Sequence, residues 1–316
     1  MSLLDRVLNE PELKAAPPVL LDVGAAGGVH PAWRRIARHS IGVGFEPDAR
    51  EAAPLGAAQA LFGRWIFCPG LAVPTARPGN SATLHLMRSP QCSSTLPPRT
   101  AALEEWAFAD FFAVVGTKDC SATTLEAALT AQGLGRIDAL KCDTQGIDLQ
   151  LYLSLPKTWR ERISAVEFEP GLIDAYEGED KLSDVLAAMA SEPFWLADLQ
   201  VGRTPRGRMT LLAPHLPNAG PWFRRFGRGA PAWANVRFLR DPSVQTESLD
   251  RRGYLLGWVF ATLAGQSGHA LAVANAGQLR FGGPLFTEMI AASASRLRWE
   301  MMCGAPGAVW RRLTRA

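Results

Sequence analysis

The sequence has few cysteines, and they are badly placed for a scaffold. Cys68, Cys92, Cys120, Cys142 and Cys303 are scattered, odd in number, and nowhere spaced C-x-x-C. That speaks against a disulfide framework or a zinc ribbon and points to a reducing compartment. Long apolar runs are also missing. The longest, 254–265, is twelve residues, against roughly 20 for a spanning helix. The start, MSLLDRVLNEPELK, is charged and has no signal-type apolar stretch. There is no internal repeat, and no lysine after Lys181, so every later basic residue is arginine. These absences predict a soluble, cytoplasmic protein without a membrane span.

What is present is an ordinary globular mix. Of 316 residues, 47% are hydrophobic and 20% charged, which excludes wholesale disorder. The length suits two domains or one elaborated α/β domain and can bury a large core without staples. The net charge of +3 hides an asymmetry. Residues 1–198 carry 17 Lys+Arg against 25 Asp+Glu, whereas 199–316 carry 16 against 5. The two parts differ in surroundings.

Residues 19–23 (VLLDV) form an apolar run ending in Gly-Ala-Ala-Gly-Gly, the signature of a buried strand and tight turn. Helical spacing follows over 31–39, then a strand at 41–45 and a helix over 48–61. This is the opening of a doubly wound sheet. Further strands are expected within 64–73 and at 82–86, 138–142 and 163–168, with helices over 123–132, 146–155 and 182–190. Ser121 or Thr123 is available to cap the first of these helices. A final strand pair is expected from 194–199 and 209–213. Residues 217–231 are rich in Gly, Pro and Arg and read as a linker, and 245–265 and 284–303 as helices. The expected fold is α/β, Rossmann-like, with a mostly parallel sheet ending in an antiparallel strand. The boundaries are a catalytic domain over 1–214, a linker over 215–239 and a helical C-terminal appendage over 240–316. The apolar surface of the appendage must dock on the catalytic domain, on a second copy as a homodimer, or on a membrane surface; the first two are favoured by charge complementarity and by the lack of a long basic amphipathic run.

The glycine turn carries the strongest local signal. A nicotinamide fingerprint starting at Gly24 needs glycine at positions 26 and 29, which are Ala26 and Val29. An acid-x-Gly-x-x-Gly loop of the kind that holds S-adenosylmethionine is satisfied by Asp22, Gly24 and Gly27, with Ala25 inside the turn. The acid suits the ammonium of the methionine end. Glu46 follows the second strand, where an acid accepts hydrogen bonds from ribose hydroxyls. The cofactor-binding candidates are thus Asp22, Gly24, Ala25, Gly27 and Glu46, joined by Asp143. A purely structural Gly-rich turn and a solvated acid are the bland alternatives.

Asp143 ends an apolar strand, on the edge where open α/β sheets bind ligands. Glu167 and Glu169 end the next strand on the same edge. A helix cap is the ordinary role for Asp143 or Thr144. If a hydroxyl accepts a methyl group, a base must take its proton, and Asp143 is the first candidate and His85 the second. No ligand spacing demands a metal, although Asp143 with Glu167 or Glu169 offers oxygens for one.

Taken together the residues resemble the FkbM-type family of S-adenosylmethionine-dependent methyltransferases. The matching pieces are LLDVGAAGG, GFEPD at 44–48, CSSTL at 92–96, TTLEAAL, IDALKCDTQGIDLQLYL and AVEFEP. They run in order over roughly 18–200. Lys141, Asp143, Gln145 and Gly146 match the family's central motif. Asp148 stands where a glutamate is usual, and the loop lacks the frequent asparagine. The resemblance implies a class I methyltransferase sheet and O-methylation of a sugar, glycan or natural product, with a small-molecule or glycan acceptor. Two other classes stay open: a cofactor- or nucleotide-binding module without catalysis, and a nucleic-acid methyltransferase using the basic C-terminal region. The second is disfavoured because that region carries no nucleic-acid motif.

Overall fold

Short apolar runs, each stopped by a glycine or an acid, build the centre of the sheet. The computed structural model describes residues 1–26, 28–52, 58–215, 220–244 and 249–313. Its strands are β1 (Val19–Val23), β2 (Ile41–Phe45), β3 (Arg64–Cys68), β4 (Leu71–Ala72), β5 (Ser81–Met87), β6 (Val114–Thr123), β7 (Ala139–Cys142), β8 (Ala165–Phe168), β9 (Phe194–Pro205) and β10 (Gly229–Arg240). Seven of them form one sheet in the order β3-β2-β1-β7-β8-β10-β9. Pairing is parallel from β3 to β8, and β10 runs antiparallel to both of its neighbours. A small sheet, β4-β6-β5, lies beside it. The chain is therefore α/β with a mostly parallel sheet, as expected, and its antiparallel strand lies second from the edge, between β8 and β9, in place of at the end.

Central strands buried on both faces read as unbroken apolar runs, and β1 is buried at all five positions. One face packs Val19, Leu21, Val43, Val166 and Phe238 against the helices Leu125–Ala131, Asp148–Ser154 and Leu182–Met189. The other face packs Leu20, Ala139 and Leu239 against the N-terminal helix Leu3–Leu8 and the C-terminal helix Arg251–Leu263.

The described part of the C-terminal region is helical, as expected, and it packs on this face: Leu255, Leu256, Trp258, Val259 and Phe260 are buried in the same core as Leu20 of β1. Much of the apolar surface that called for docking or dimerisation is covered by the chain's own sheet, while Leu279, Trp299, Met301 and Met302 stay exposed. Docking is also ionic, since Arg252 places two hydrogen bonds of 2.6 and 2.8 Å on the fully buried Asp138. Arg251 reaches Glu10 and Glu12, each at 2.6 Å, and Arg6 pairs with Glu288. The basic tail and acidic head meet within one chain.

The expected linker 215–239 holds strand β10 from Gly229 onward. Its Gly and Pro residues disguised it, and Pro231 sits at a bulge where a missing N–H is tolerated. The partner of β9 is β10, while 209–213, expected as a strand, contains the short helix Met209–Leu212. Residues 31–39 are two tight 3-10 segments in place of a full α-helix. Of the helix expected over 48–61, Ala49–Ala52 is helical and 53–57 lie outside the described residues. The helix after β6 is capped by the Thr124 side chain, which accepts from the Ala127 N–H at 3.2 Å, in place of Ser121 or Thr123. No helix among the described residues is long and apolar enough to cross a membrane.

Candidate functional site

A cleft of about 300 Å³ opens where β1, β2 and β7 end, between the sheet and the loop 88–99. Because β1 leads to β2 on one side and borders β7 on the other, this is the topological switch point, where open α/β sheets take ligands. Gly24, Glu46 and Asp143 all line it.

Gly24 has φ +75°, and a Cβ built on it would stand 1.9 Å from the Asp143 carbonyl oxygen. Only glycine lets the turn after β1 press this closely on the end of β7. The turn is fixed from the other side by β2, because the N–H groups of Gly24 and Ala25 both donate to the Phe45 carbonyl at 3.0 Å. Ala25 is accordingly buried and does not line the cleft, whereas Ala26 does. Gly27 lies outside the described residues.

Glu46 is 6% exposed, and its Oε1 accepts from the Asp48 N–H at 2.8 Å. Burial pushes its pKa up to about 7. Asp48 in turn is clamped by Arg50, whose Nε donates at 2.9 Å.

Asp22 does not face the cleft. Successive side chains alternate across a strand, so Leu21 and Val23 share one face and Asp22 takes the other. There its carboxylate accepts from Lys141 Nζ at 3.2 Å. The register sets Asp22 beside Lys141, Lys141 beside Glu167 and Glu167 beside Arg237, a row of alternating charge across four strands. Burial disfavours the Lys141 ammonium, but the charges of Asp22 and Asp143 outweigh it and hold its pKa above the usual range. Glu167 belongs to this row: Arg237 Nε donates to it at 2.8 Å and His30 Nε2 lies 3.3 Å away. Burial raises its pKa, and the contacts with His30 and Arg237 overcome that and hold it at about 2.

Glu169 lies beyond the end of β8 and lines the cleft. Burial and the Asp143 carboxyl push its pKa up to about 9, so near neutral pH it keeps its proton. Between the two acids sits Gln145, whose Nε2 donates to Asp143 Oδ1 at 2.8 Å and to Glu169 Oε2 at 3.2 Å. Gln145 has φ +58°, a left-handed conformation uncommon for a residue with a side chain. It is held there from both ends. The Ser94 hydroxyl donates to its carbonyl at 2.7 Å, and the Tyr176 hydroxyl, 2.7 Å from the Cys92 carbonyl, lies 3.1 Å from its Oε1. The serine loop is thereby fastened to the β7 loop. A non-glycine residue in this conformation is strained and persists because these contacts over-determine it. The site candidates drawn from the sequence omitted Gln145, and its spacing two residues after Asp143 is the signal that was there.

Asp148 is consumed by the loop itself. Its Oδ1 accepts from the Thr144 N–H and hydroxyl at 2.8 and 2.6 Å, and its Oδ2 from the Glu169 N–H at 2.9 Å. Burial, with the charge of Asp143, lifts its pKa to about 6. Asp148 thus braces the β7 loop, and the start of the following helix is tied down by Asp180, whose Oδ2 accepts from the Leu149 and Gln150 N–H groups at 2.8 and 3.2 Å, so Asp143 is not its cap.

His85, the second base candidate, is removed from the cleft. It sits on β5 opposite Thr117, and its N–H donates to the Ser94 carbonyl at 2.8 Å. Its neighbour Leu84 turns to the cleft in its place. Among the described residues no cluster of three or more His, Cys, Asp or Glu is arranged to hold a metal ion, and Glu167 points away from the Asp143 pair.

Comparison of the chain with known protein families, with characterised proteins and with solved structures returns no match.

Proposed function

We propose that this chain is an S-adenosylmethionine-dependent methyltransferase acting on a hydroxyl oxygen of a small-molecule or glycan acceptor. The observation that carries the reading is the convergence of the Gly24 turn, Glu46 and Asp143 on one cleft at the switch point of the sheet. The single antiparallel strand inserted beside the last parallel one accords with the class I methyltransferase sheet that the sequence resemblance implies.

The cleft fits such a cofactor on its own evidence. Its volume is at the lower end of small-ligand sites. Glu46 is buried, and one backbone donor on its Oε1 leaves acceptor capacity for two ribose hydroxyls. Ala26 and Gly24 bring backbone to the wall. When bound, the cofactor supplies an already activated methyl group, so the protein's part is mainly positioning. Asp143 takes the hydroxyl proton, oriented by the Gln145 amide and by Lys141 Nζ at 3.6 Å. Glu169, holding its own proton, keeps a second negative charge from competing.

Four arginines of the basic region are engaged inside the protein, which weakens the nucleic-acid alternative. Arg237, Arg240, Arg251 and Arg252 are hydrogen-bonded within the fold. The test is transfer of a labelled methyl group from S-adenosylmethionine across a panel of hydroxylated acceptors. Label found in a methyl ether and lost on Asp143→Asn supports the reading, whereas cofactor binding without turnover on any acceptor favours the non-catalytic module.

A further inference from the structure

A second cavity of about 280 Å³ adjoins the first, and Gln91, Gln145 and Glu169 line both. Its character is different. Phe108, Phe112, Tyr176 and Trp233 line it, with Phe111 among them at 42% exposure. The rings are organised: Phe108 and Trp233 stack with centroids 6.1 Å apart and planes at 18°, and Phe112 contacts Phe108 at 5.0 Å and Tyr176 at 5.5 Å. These aromatics come from three separate parts of the chain, 108–112, 176 and 233, so the fold assembles the cavity.

The charges of its walls are already satisfied. Glu179 accepts from the N–H groups of Ala175 and Tyr176 at 2.6 and 3.1 Å and pairs with Lys181 at 2.6 Å. Glu169 retains its proton near neutral pH. Among the described residues no lysine, arginine or histidine lines the cavity. Arg224 stacks over the Phe111 ring at 6.0 Å without lining it. A phosphate or carboxylate placed inside would lose its hydration and gain no cation in return. A flat or weakly polar ring would lie on Trp233 and Phe112 with no such penalty.

We propose that this second cavity holds the methyl acceptor, and that the acceptor is an uncharged, largely apolar ring carrying a hydroxyl group. The inference rests on the methyltransferase reading for what happens to the hydroxyl, but the binding itself does not. The shared wall of Gln145 and Glu169 is where the hydroxyl of a seated ring meets the Asp143 pair. Charged acceptors, such as sugar phosphates and nucleotide-linked sugars, are excluded by the same walls.

The experiment uses the full chain and titrates 2-naphthol, and separately glucose 6-phosphate, by calorimetry with and without saturating S-adenosylhomocysteine. Naphthol should bind in both conditions, and glucose 6-phosphate in neither. Trp233→Leu and, at the mouth, Phe111→Ala should each weaken naphthol by about tenfold while S-adenosylhomocysteine affinity, which also reports that each variant is folded, stays unchanged. Absence of naphthol binding, binding indifferent to both variants, or tighter binding of glucose 6-phosphate overturns the proposal. Naphthol binding that depends on Trp233 in a protein that ignores S-adenosylhomocysteine would leave the cavity assigned and overturn the cofactor reading alone.

Discussion

Replacing Arg252 with alanine should be among the most damaging single changes in this protein, although it lies far from the cleft in sequence. Asp138 is fully buried, and the guanidinium supplies two of its hydrogen bonds, leaving only the Val19 N–H at 2.8 Å once removed. The Ala16 carbonyl loses its donor as well. A buried charge stripped of its partner costs about 3–5 kcal/mol, a large share of the roughly 5–15 kcal/mol that holds a domain together. At roughly 2–4 °C per kcal/mol for a large domain, the melting temperature should fall by about 6–20 °C. Circular dichroism melts and urea titration read this directly. Arg88→Ala is the control: its partner Asp110 and Arg88 itself are 56% and 57% exposed, and its loss should cost less than about 1 kcal/mol. Adding Asp138→Asn to Arg252→Ala removes the orphan charge and should restore part of the stability. A loss below about 1 kcal/mol for Arg252→Ala would show that water reaches Asp138 and that the C-terminal helices do not seal the sheet.

Asp143→Asn should cut methyl transfer by roughly 10²–10⁴ while S-adenosylhomocysteine affinity stays within about tenfold, and unchanged turnover would remove Asp143 from the chemistry. Affinity for S-adenosylhomocysteine should rise with pH and level off above about 7, because burial lifts the free Glu46 pKa to about 7 and its ionised form is the stronger acceptor for ribose hydroxyls. Glu46→Gln should flatten that profile, and an equally steep profile in the variant would assign the titration elsewhere. Deleting 240–316 should bare the sheet face and give aggregates in light scattering, whereas a soluble monomeric 1–239 would contradict the shared core. Gly24→Ala should lower stability by more than about 2 kcal/mol through its positive φ and the Asp143 carbonyl, and a fully stable variant that only loses ligand would mean the turn is free to move.

Much of the sheet was legible because β1, β2, β7 and β8 are apolar runs with a period of two or no period at all, each closed by glycine or acid. The polar strand β6 was not, since eight of its ten residues are exposed or half-buried on the small sheet and show little apolar patterning. The helix Ser267–Phe281 was missed for a different reason. It packs through small residues, Ala270, Val273, Ala274 and Gly277, and a Cβ on Gly277 would meet the Phe286 ring at 2.3 Å. Close approach of this kind leaves almost no apolar stripe to read. In the site, strand ends indicated the right edge but not the right depth. Glu46 and Asp143 fall on the cleft, whereas Asp22 and Glu167, on the same edge, point into a charge row under the C-terminal helices. Register and alternation give all four the same side of the sheet; depth separates them, because Glu46 and Asp143 lie one residue past the ends of β2 and β7 whereas Asp22 and Glu167 lie one residue inside β1 and β8. His85 failed by one residue, with Leu84 facing inward.

What occupies the cleft lined by Gly24, Glu46 and Asp143 decides what the protein does. Isothermal titration of the full chain with S-adenosylhomocysteine should give one site in the micromolar range, about −8 kcal/mol. Glu46→Ala should weaken it by roughly tenfold or more, and NAD should bind far more weakly. Equal affinity for NAD, or no heat with S-adenosylhomocysteine, would contradict the assignment.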